Sequence, residues 1–388
     1  MPSDVDTASH IPSIDEIRSR TFEAFGKRPC LWQARTCEAI LRGDRDVISI
    51  AGTGMGKTLT FWMPLLFRPQ GILLVITPLN ILGKQNVETL EKAGIHGIFV
   101  SRGTASEQIF RAISSFRYRV IVVNPEELMR DKGGFEKLMK DRLFVNSLIS
   151  MVIDEAHCIS QWGSFRPEYR HIGQLRYLQR KQCPYLITSA TLSPAIIQDI
   201  KKVLNLDEDK LLLSRCSINR TNFAIVVRPI LHSLSSFVDL KFLLNDWKPG
   251  DPQPPKFLIF FDNIQTSVQA GKALCRLLPL GYQHRIKWFN SEMSDTFKET
   301  EVERLVKGET WGLMTTDSFG MGMDIPDIQI VGQWRATLPT VSTIWQRFGR
   351  CVRDPTLQGT VYLFVEKEHF DAERRKAKAA KESRKRKR

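Results

Sequence analysis

Two short segments hold the residue types that phosphate chemistry needs. Residues 51–58 read AGTGMGKT, directly after the apolar run DVISI. The pattern is that of a phosphate-binding loop, G-x-x-x-x-G-K-[ST], with Ala51 in the place of the first glycine. Backbone N–H groups wrap an anion only where the chain turns freely, and Gly54 and Gly56 supply that freedom. Gly52, Thr53 and Met55 complete the loop. Lys57 is placed to pair with the β- and γ-phosphates of ATP, and Thr58 to hold Mg2+. The second segment, residues 150–158, reads SMVIDEAHC. Its apolar run ends at Asp154, so the acid sits at a strand's carboxyl end, where open α/β sheets bind ligands. Asp154 is expected to hold the same Mg2+, and Glu155 to orient and deprotonate an attacking water. Taken alone, the acids could be a solvated helix start; a phosphate loop upstream favours the catalytic reading.

These residues need strands to position them. Short apolar, β-branched runs alternate with helix-like stretches throughout the chain. The first half has DVISIA (46–51), ILLVIT (72–77), GIFV (97–100), RVIVV (119–123), SMVID (150–154) and YLITS (185–189). The second has FAIVV (223–227), KFLIFF (256–261), IKWF (286–289), LMTT (313–316), IQIV (328–331) and TVYLFV (360–365). Continuous apolar strands separated by helices indicate buried parallel sheets, and two such sets indicate two α/β domains. The junction is expected near 214–255, where WKPGDPQPPK is dense in proline and glycine. The expected division is an N-terminal extension over 1–19, a first domain over 20–214, a second over 215–370 and a tail over 371–388.

The chain of 388 residues carries a formal net charge of +14, which favours a polyanionic partner. From Ala372 to Arg388 ten Lys/Arg face two Glu, a net of +8, leaving 14 − 8 = +6 for the rest. The tail reads as a disordered basic segment, either a nuclear-import signal or a phosphate contact. Seven cysteines, none in a C-x-x-C pair, argue against zinc and against a disulfide framework. No apolar run reaches membrane-spanning length, and the N-terminus has no secretory pattern.

With both motifs in place, the chain resembles the RecQ family of DNA helicases in helicase superfamily 2, over about residues 20–365. The segment DEAHCISQWGSFRPEY (154–169) carries the resemblance, because it is similar to the family's joined Walker B motif and aromatic-rich loop. TPLNILGKQNVETLEKAGI (77–95), NPEEL (124–128), SAT (189–191), TTDSFGMGMDIPD (315–327) and QRFGRCVRD (346–354) match further motifs. The resemblance implies two RecA-like domains, each a mostly parallel sheet flanked by helices, with ATP in the cleft between them. It implies that Gln33 reads adenine and that Ser189 and Thr191 relay closure. It further implies that Gln346, Arg350 and Arg353 serve the γ-phosphate from the second domain, as arginine fingers do. Asp317, Gly320, Gly322 and Asp324 lie in a motif that contacts nucleic-acid backbone and ATP. Trp162 and Phe165 would stack on unpaired bases and Arg166 would touch backbone or base faces, with Gln161 and His157 joining this loop to the acids. The simpler alternative makes Trp162, Phe165 and Tyr169 core aromatics.

The implied function is an ATP-dependent, 3′-to-5′ DNA helicase or translocase acting on single-stranded or partly duplex DNA in repair or recombination. An RNA helicase, or a non-catalytic DNA-binding scaffold of the same descent, remains an alternative. The match departs from the family in a shortened aromatic loop, in Asn290 where relatives often carry histidine, and in Val352 for a usual glycine. The family's zinc-binding module finds no counterpart after Arg353, where no cysteine follows.

Overall fold

A computed structural model describes residues 10–78, 80–163, 166–178, 183–319 and 325–375, with only the backbone of residues 80–82, 84 and 85. Phe165, Gly320, Gly322, Asp324 and most of the basic tail lie outside the described residues. The chain divides into two compact units, Met1–Asn219 and Arg220–Arg388.

The first unit is built on a seven-stranded sheet of β1 (Asp46–Ile50), β2 (Ile72–Ile76), β3 (Gly97–Val100), β4 (Val120–Val123), β5 (Leu148–Ile153), β6 (Tyr185–Ser189) and β7 (Leu211–Arg215). The order is β3-β4-β2-β5-β6-β1-β7, with every pair parallel. β1, β2, β4 and β6 are buried along their whole length, which is why they read as mostly apolar runs. The carboxyl ends of β5, β6 and β1 lie side by side. Backbone pairing continues past them: Asp154 N–H donates to Ile76 O at 3.0 Å, Ala156 N–H to Thr188 O at 2.9 Å and Ala51 N–H to Ser189 O at 3.3 Å.

The helix Ile14–Phe25 straddles residue 20, where the expected extension ends. Ser13 caps it, its Oγ accepting from Glu16 N–H at 3.2 Å, and Gly26 ends it at φ +64°. Its Ile17 is fully buried with Ala34 and Cys37 of the helix Leu31–Arg42, so this stretch belongs to the core.

The second unit holds β8 (Phe223–Ile230), β9 (Phe257–Phe260), β10 (Ile286–Phe289), β11 (Gly312–Thr315), β12 (Ile330–Trp334) and β13 (Gly359–Glu366). Their order is β10-β11-β9-β12-β13-β8, again all parallel. The proline-rich stretch 247–256 lies within this unit, tied down by Trp247 Nε1, which donates to Asp251 O at 3.2 Å and Pro252 O at 3.1 Å. All twelve expected runs form strands; β7, an edge strand with Leu213 exposed, is the addition. No described helix is long and apolar enough to cross a membrane.

Candidate nucleotide site and its coupling loop

The phosphate loop leaves β1 at Ala51. This residue still pairs as a strand residue and keeps an ordinary φ, so the position tolerates a Cβ. Gly54 and Gly56 differ: their φ values are +82° and +75°, the left-handed region that favours glycine. A Cβ on Gly56 would also lie 2.9 Å from Gln33 Nε2. Lys57 Nζ donates to Ala51 O at 3.0 Å and Gly52 O at 3.4 Å, curling over the loop it follows. Thr58, half-buried, precedes a single α-turn, Leu59–Trp62, which continues as the 3-10 turn Met63–Leu66. Pro64 lacks the N–H a longer helix would use there. The helix behind the loop is thus one short turn.

Gln33 is buried beneath this loop. Its Nε2 donates to Gly56 O at 2.9 Å and Met55 O at 3.4 Å, and its Oε1 accepts from Cys30 N–H at 2.7 Å. The amide therefore grips the phosphate loop from one side.

Asp154 ends β5. Its Oδ1 accepts from Glu155 N–H at 2.9 Å and from Thr188 Oγ1 at 3.0 Å, a partner that β5–β6 pairing brings alongside. Burial, then the Glu155 carboxylate, raises its pKa to about 6, while Lys57 and Thr188 pull the other way. Glu155 holds a left-handed φ of +50°, a costly conformation for a non-glycine residue. His157, 3% exposed, has Nδ1 at 3.3 Å from Glu155 Oε2 and 3.0 Å from Ser189 Oγ. Ser189 Oγ in turn donates to Thr191 O at 3.3 Å. Glu155, His157, Ser189 and Thr191 thus form one polar chain between the ends of β5 and β6.

The next turn brings in the aromatic loop. Arg166 lies 5.0 Å from the Trp162 ring centre, donates from Nη1 to Pro78 O at 3.1 Å and pairs through Nε with Glu126 at 3.1 Å. It ties together three segments that are separate in sequence. Tyr169 stands edge-on to Trp162 with ring centres 6.1 Å apart. Tyr169 is fully buried, so here the core-aromatic alternative describes it correctly; Trp162 and Gln161 remain half-exposed.

Asp154 and Glu155 are a close acid pair with one lysine in electrostatic reach, an arrangement that a divalent cation would relieve. Among the described residues no cluster of three or more His, Cys, Asp or Glu could cage a metal. Mg2+ is usually held by one or two carboxylates and completed by phosphates, and Asp154 would be such a carboxylate.

In the second unit Arg350 is buried at the end of the helix Val341–Phe348, while Gln346 and Arg353 are half-exposed. Val352 takes φ +33°, so this site has the backbone that suits glycine while carrying a buried β-branched side chain. Its carbonyl accepts from Arg220 Nη2 at 2.6 Å and Asn222 Nδ2 at 2.7 Å, which fix the turn leading to Arg353.

Comparison with known proteins decides between the many users of a phosphate loop. The DEAD/DEAH box helicase family matches residues 31–200, and the helicase conserved C-terminal domain matches residues 242–354. The chain is 27% identical over 338 residues to the ATP-dependent DNA helicase RecQ of Bacillus subtilis, covering 86% of this chain and 53% of that protein. It is 29% identical over 323 residues to the putative ATP-dependent DNA helicase Q1 of Caenorhabditis briggsae, covering 80% and 49%. The chain is a RecQ-type superfamily 2 helicase core. This core spans about half the length of the curated relatives it matches. Its fold is that of solved helicases. MrfA bound to DNA aligns with TM-score 0.71 at 16% identity over 92% of this chain and 48% of that one. S. cerevisiae Dbp5 bound to RNA and ADP BeF3 aligns with TM-score 0.67 at 19% identity over 91% and 89%.

The RecQ-type core also contains polar residues that its motifs alone do not reveal. Thr188 on Asp154, Glu126 on Arg166, and Arg220 with Asn222 on the Val352 turn each meet their partner far along the chain. Arg347, beside the expected Gln346 and Arg350, is another. Glu126 sits in the quoted NPEEL segment, and Arg347 in QRFGRCVRD; motif membership was their one available signal.

Proposed function

We propose that this core is an ATP-dependent motor that moves 3′ to 5′ on single-stranded or partly duplex DNA. The observation that carries the reading is the unbroken run from Asp154 and Glu155 through His157 to Trp162 and Arg166. Water-activating groups and a base-stacking loop share one short stretch of backbone. In this reading the loop Gly52–Thr58 binds the phosphates and Gln33 contacts adenine. Thr58 and Asp154 would hold Mg2+, which would neutralise phosphate charge there. Glu155 orients the attacking water and takes its proton. Arg350 and Arg353, with Gln346, stabilise negative charge on the transferred phosphoryl group. Asp317 and Asp324 belong to the coupling motif, and Ser189 and Thr191 pass the change onward through His157. The names of the relatives support DNA as the substrate; the polarity follows from the family resemblance. The basic tail supports a nuclear protein, and a part in DNA repair or recombination follows from the family resemblance.

The test is ATP hydrolysis by the purified chain with single-stranded DNA and with RNA of the same base sequence. Stimulation by DNA above RNA is expected. Equal or stronger stimulation by RNA would replace the substrate assignment, and absence of hydrolysis with either would favour the scaffold reading.

A further inference from the structure

Arg347 lies on the inward face of the helix Val341–Phe348 and is 5% exposed. Its guanidinium is engaged by groups from one strand and from the segments that follow two others. Nε donates to Asp317 Oδ1 at 2.8 Å and Nη2 to Asp317 Oδ2 at 2.9 Å, a two-pronged pair. Nη1 donates to Asp262 Oδ1 at 2.7 Å and also to Gln333 Oε1. Gln333 Nε2 closes the ring on Asp262 Oδ2 at 3.2 Å and reaches the carbonyls of Trp334 at 3.0 Å and Arg335 at 2.9 Å. Asp262 follows β9, Asp317 follows β11 and Gln333 lies in β12. Burial opposes the arginine's charge, yet Asp317 and Asp262 outweigh it and raise the pKa further.

We propose that Arg347 is a positioning residue for the phosphate-directed arginines. It locks the helix that carries Gln346, and that leads directly into the segment of Arg350 and Arg353, to the ends of β9 and β11 and to β12. The inference rests on the role given above to Arg350 and Arg353. Two physical arguments favour positioning over plain stability. Buried ion clusters are poor stabilisers compared with apolar packing, and their best-attested use is to fix one register among several. The geometry also needs a fork: a lysine could satisfy one carboxylate at a time, whereas the guanidinium spans both. Beyond Arg350, the same segment is held a second time, where Arg220 Nη2 donates to Cys351 O at 3.1 Å and to Val352 O. Arg350 therefore sits between two anchors. The clamp also occupies both oxygens of Asp317, whose side chain is 61% exposed, so that a polyanion would meet a neutralised acid there.

The experiment compares the parent chain with Arg347→Lys, Asp317→Asn and the double variant. ATP turnover is measured at saturating single-stranded DNA, with folding checked by thermal melting. Each single variant should lower kcat by about tenfold or more, since small misplacements of reacting groups are costly. KM for ATP should change by less than about threefold, because uniform binding is untouched. The double variant should be no worse than the more damaging single one, because both break one clamp. Parental kcat in folded Arg347→Lys, a rise in KM alone, or multiplicative losses in the double variant would overturn the proposal. A parent chain with no ATP turnover at all would overturn it together with the functional reading; the other outcomes leave that reading standing.

Discussion

At the end of β5, Asp154 is buried beside Glu155, and Lys57 also contacts loop carbonyls. At the ends of β9 and β11, Asp262 and Asp317 are gripped by the guanidinium of Arg347. Both places lie at carboxyl ends of parallel strands, where a sheet exposes its loops. The first keeps a carboxylate whose charged form is disfavoured by burial and by Glu155, a charge that a bound cation would favour. The second meets its demand internally. The difference separates a ligand site from a frame: one unit stores electrostatic strain where a ligand can relieve it, and the other spends its polar groups on holding a helix still.

The strongest way to break this comparison is to remove the positive charge of the ligand site. Lys57→Ala should lower ATP turnover by on the order of 10²-fold or more, the scale of losing one charge-stabilising group. Near-parental turnover in the folded variant would mean that the loop does not serve phosphates.

Stability should respond with opposite signs in the two places. Arg347→Met removes a buried guanidinium and leaves the Asp262 carboxylate, on a side chain 15% exposed, without its partner; it should cost roughly 3 kcal/mol, read by chemical denaturation. Asp154→Asn should do the reverse. The Asp154 carboxyl keeps its proton up to about pH 6 when folded, against 3.8 as its ordinary value. The folded state then binds more protons between those values, so its stability falls as pH rises through that window and levels above it. Asp154→Asn removes that slope and should raise stability at pH 8 by roughly 3 kcal/mol. Unfolding curves at pH 4 and pH 8 check both, and a destabilised Asp154→Asn at pH 8 would reverse the account of this site.

The candidate site was legible where its residues are contiguous. Gly54, Gly56, Lys57, Asp154 and Glu155 sit in two short segments whose strands are continuous apolar runs. The frame was not, because Arg347 meets Asp317, Gln333 and Asp262 across 30, 14 and 85 positions of chain. Only the folded sheet order brings them together. Among the strands, β7 escaped for a physical reason: an edge strand buries part of its surface, and LLLSR lacks the flanks of a buried run. Ala51 and Val352, both departures from expected glycines, divide in the same way. Ala51 has a strand backbone and needs no glycine, whereas Val352 keeps a left-handed φ.

A smaller effect sharpens the link between acids and aromatic loop. Trp162→Ala should weaken single-stranded DNA binding by about 1–3 kcal/mol, the worth of one stacked base. It should also reduce the stimulation of ATP turnover by DNA more than the DNA-free rate. Unchanged DNA affinity and stimulation would return Trp162 to core packing beside Tyr169.

The central claim is that Glu155 performs water activation in a site that DNA switches on. ATP hydrolysis by the parent and by Glu155→Gln, titrated with single-stranded DNA, tests it most directly. The account predicts that the parent rate rises to a plateau with DNA, and that Glu155→Gln still binds ATP but stays near zero across the titration. A Glu155→Gln variant that follows the parent curve would contradict it.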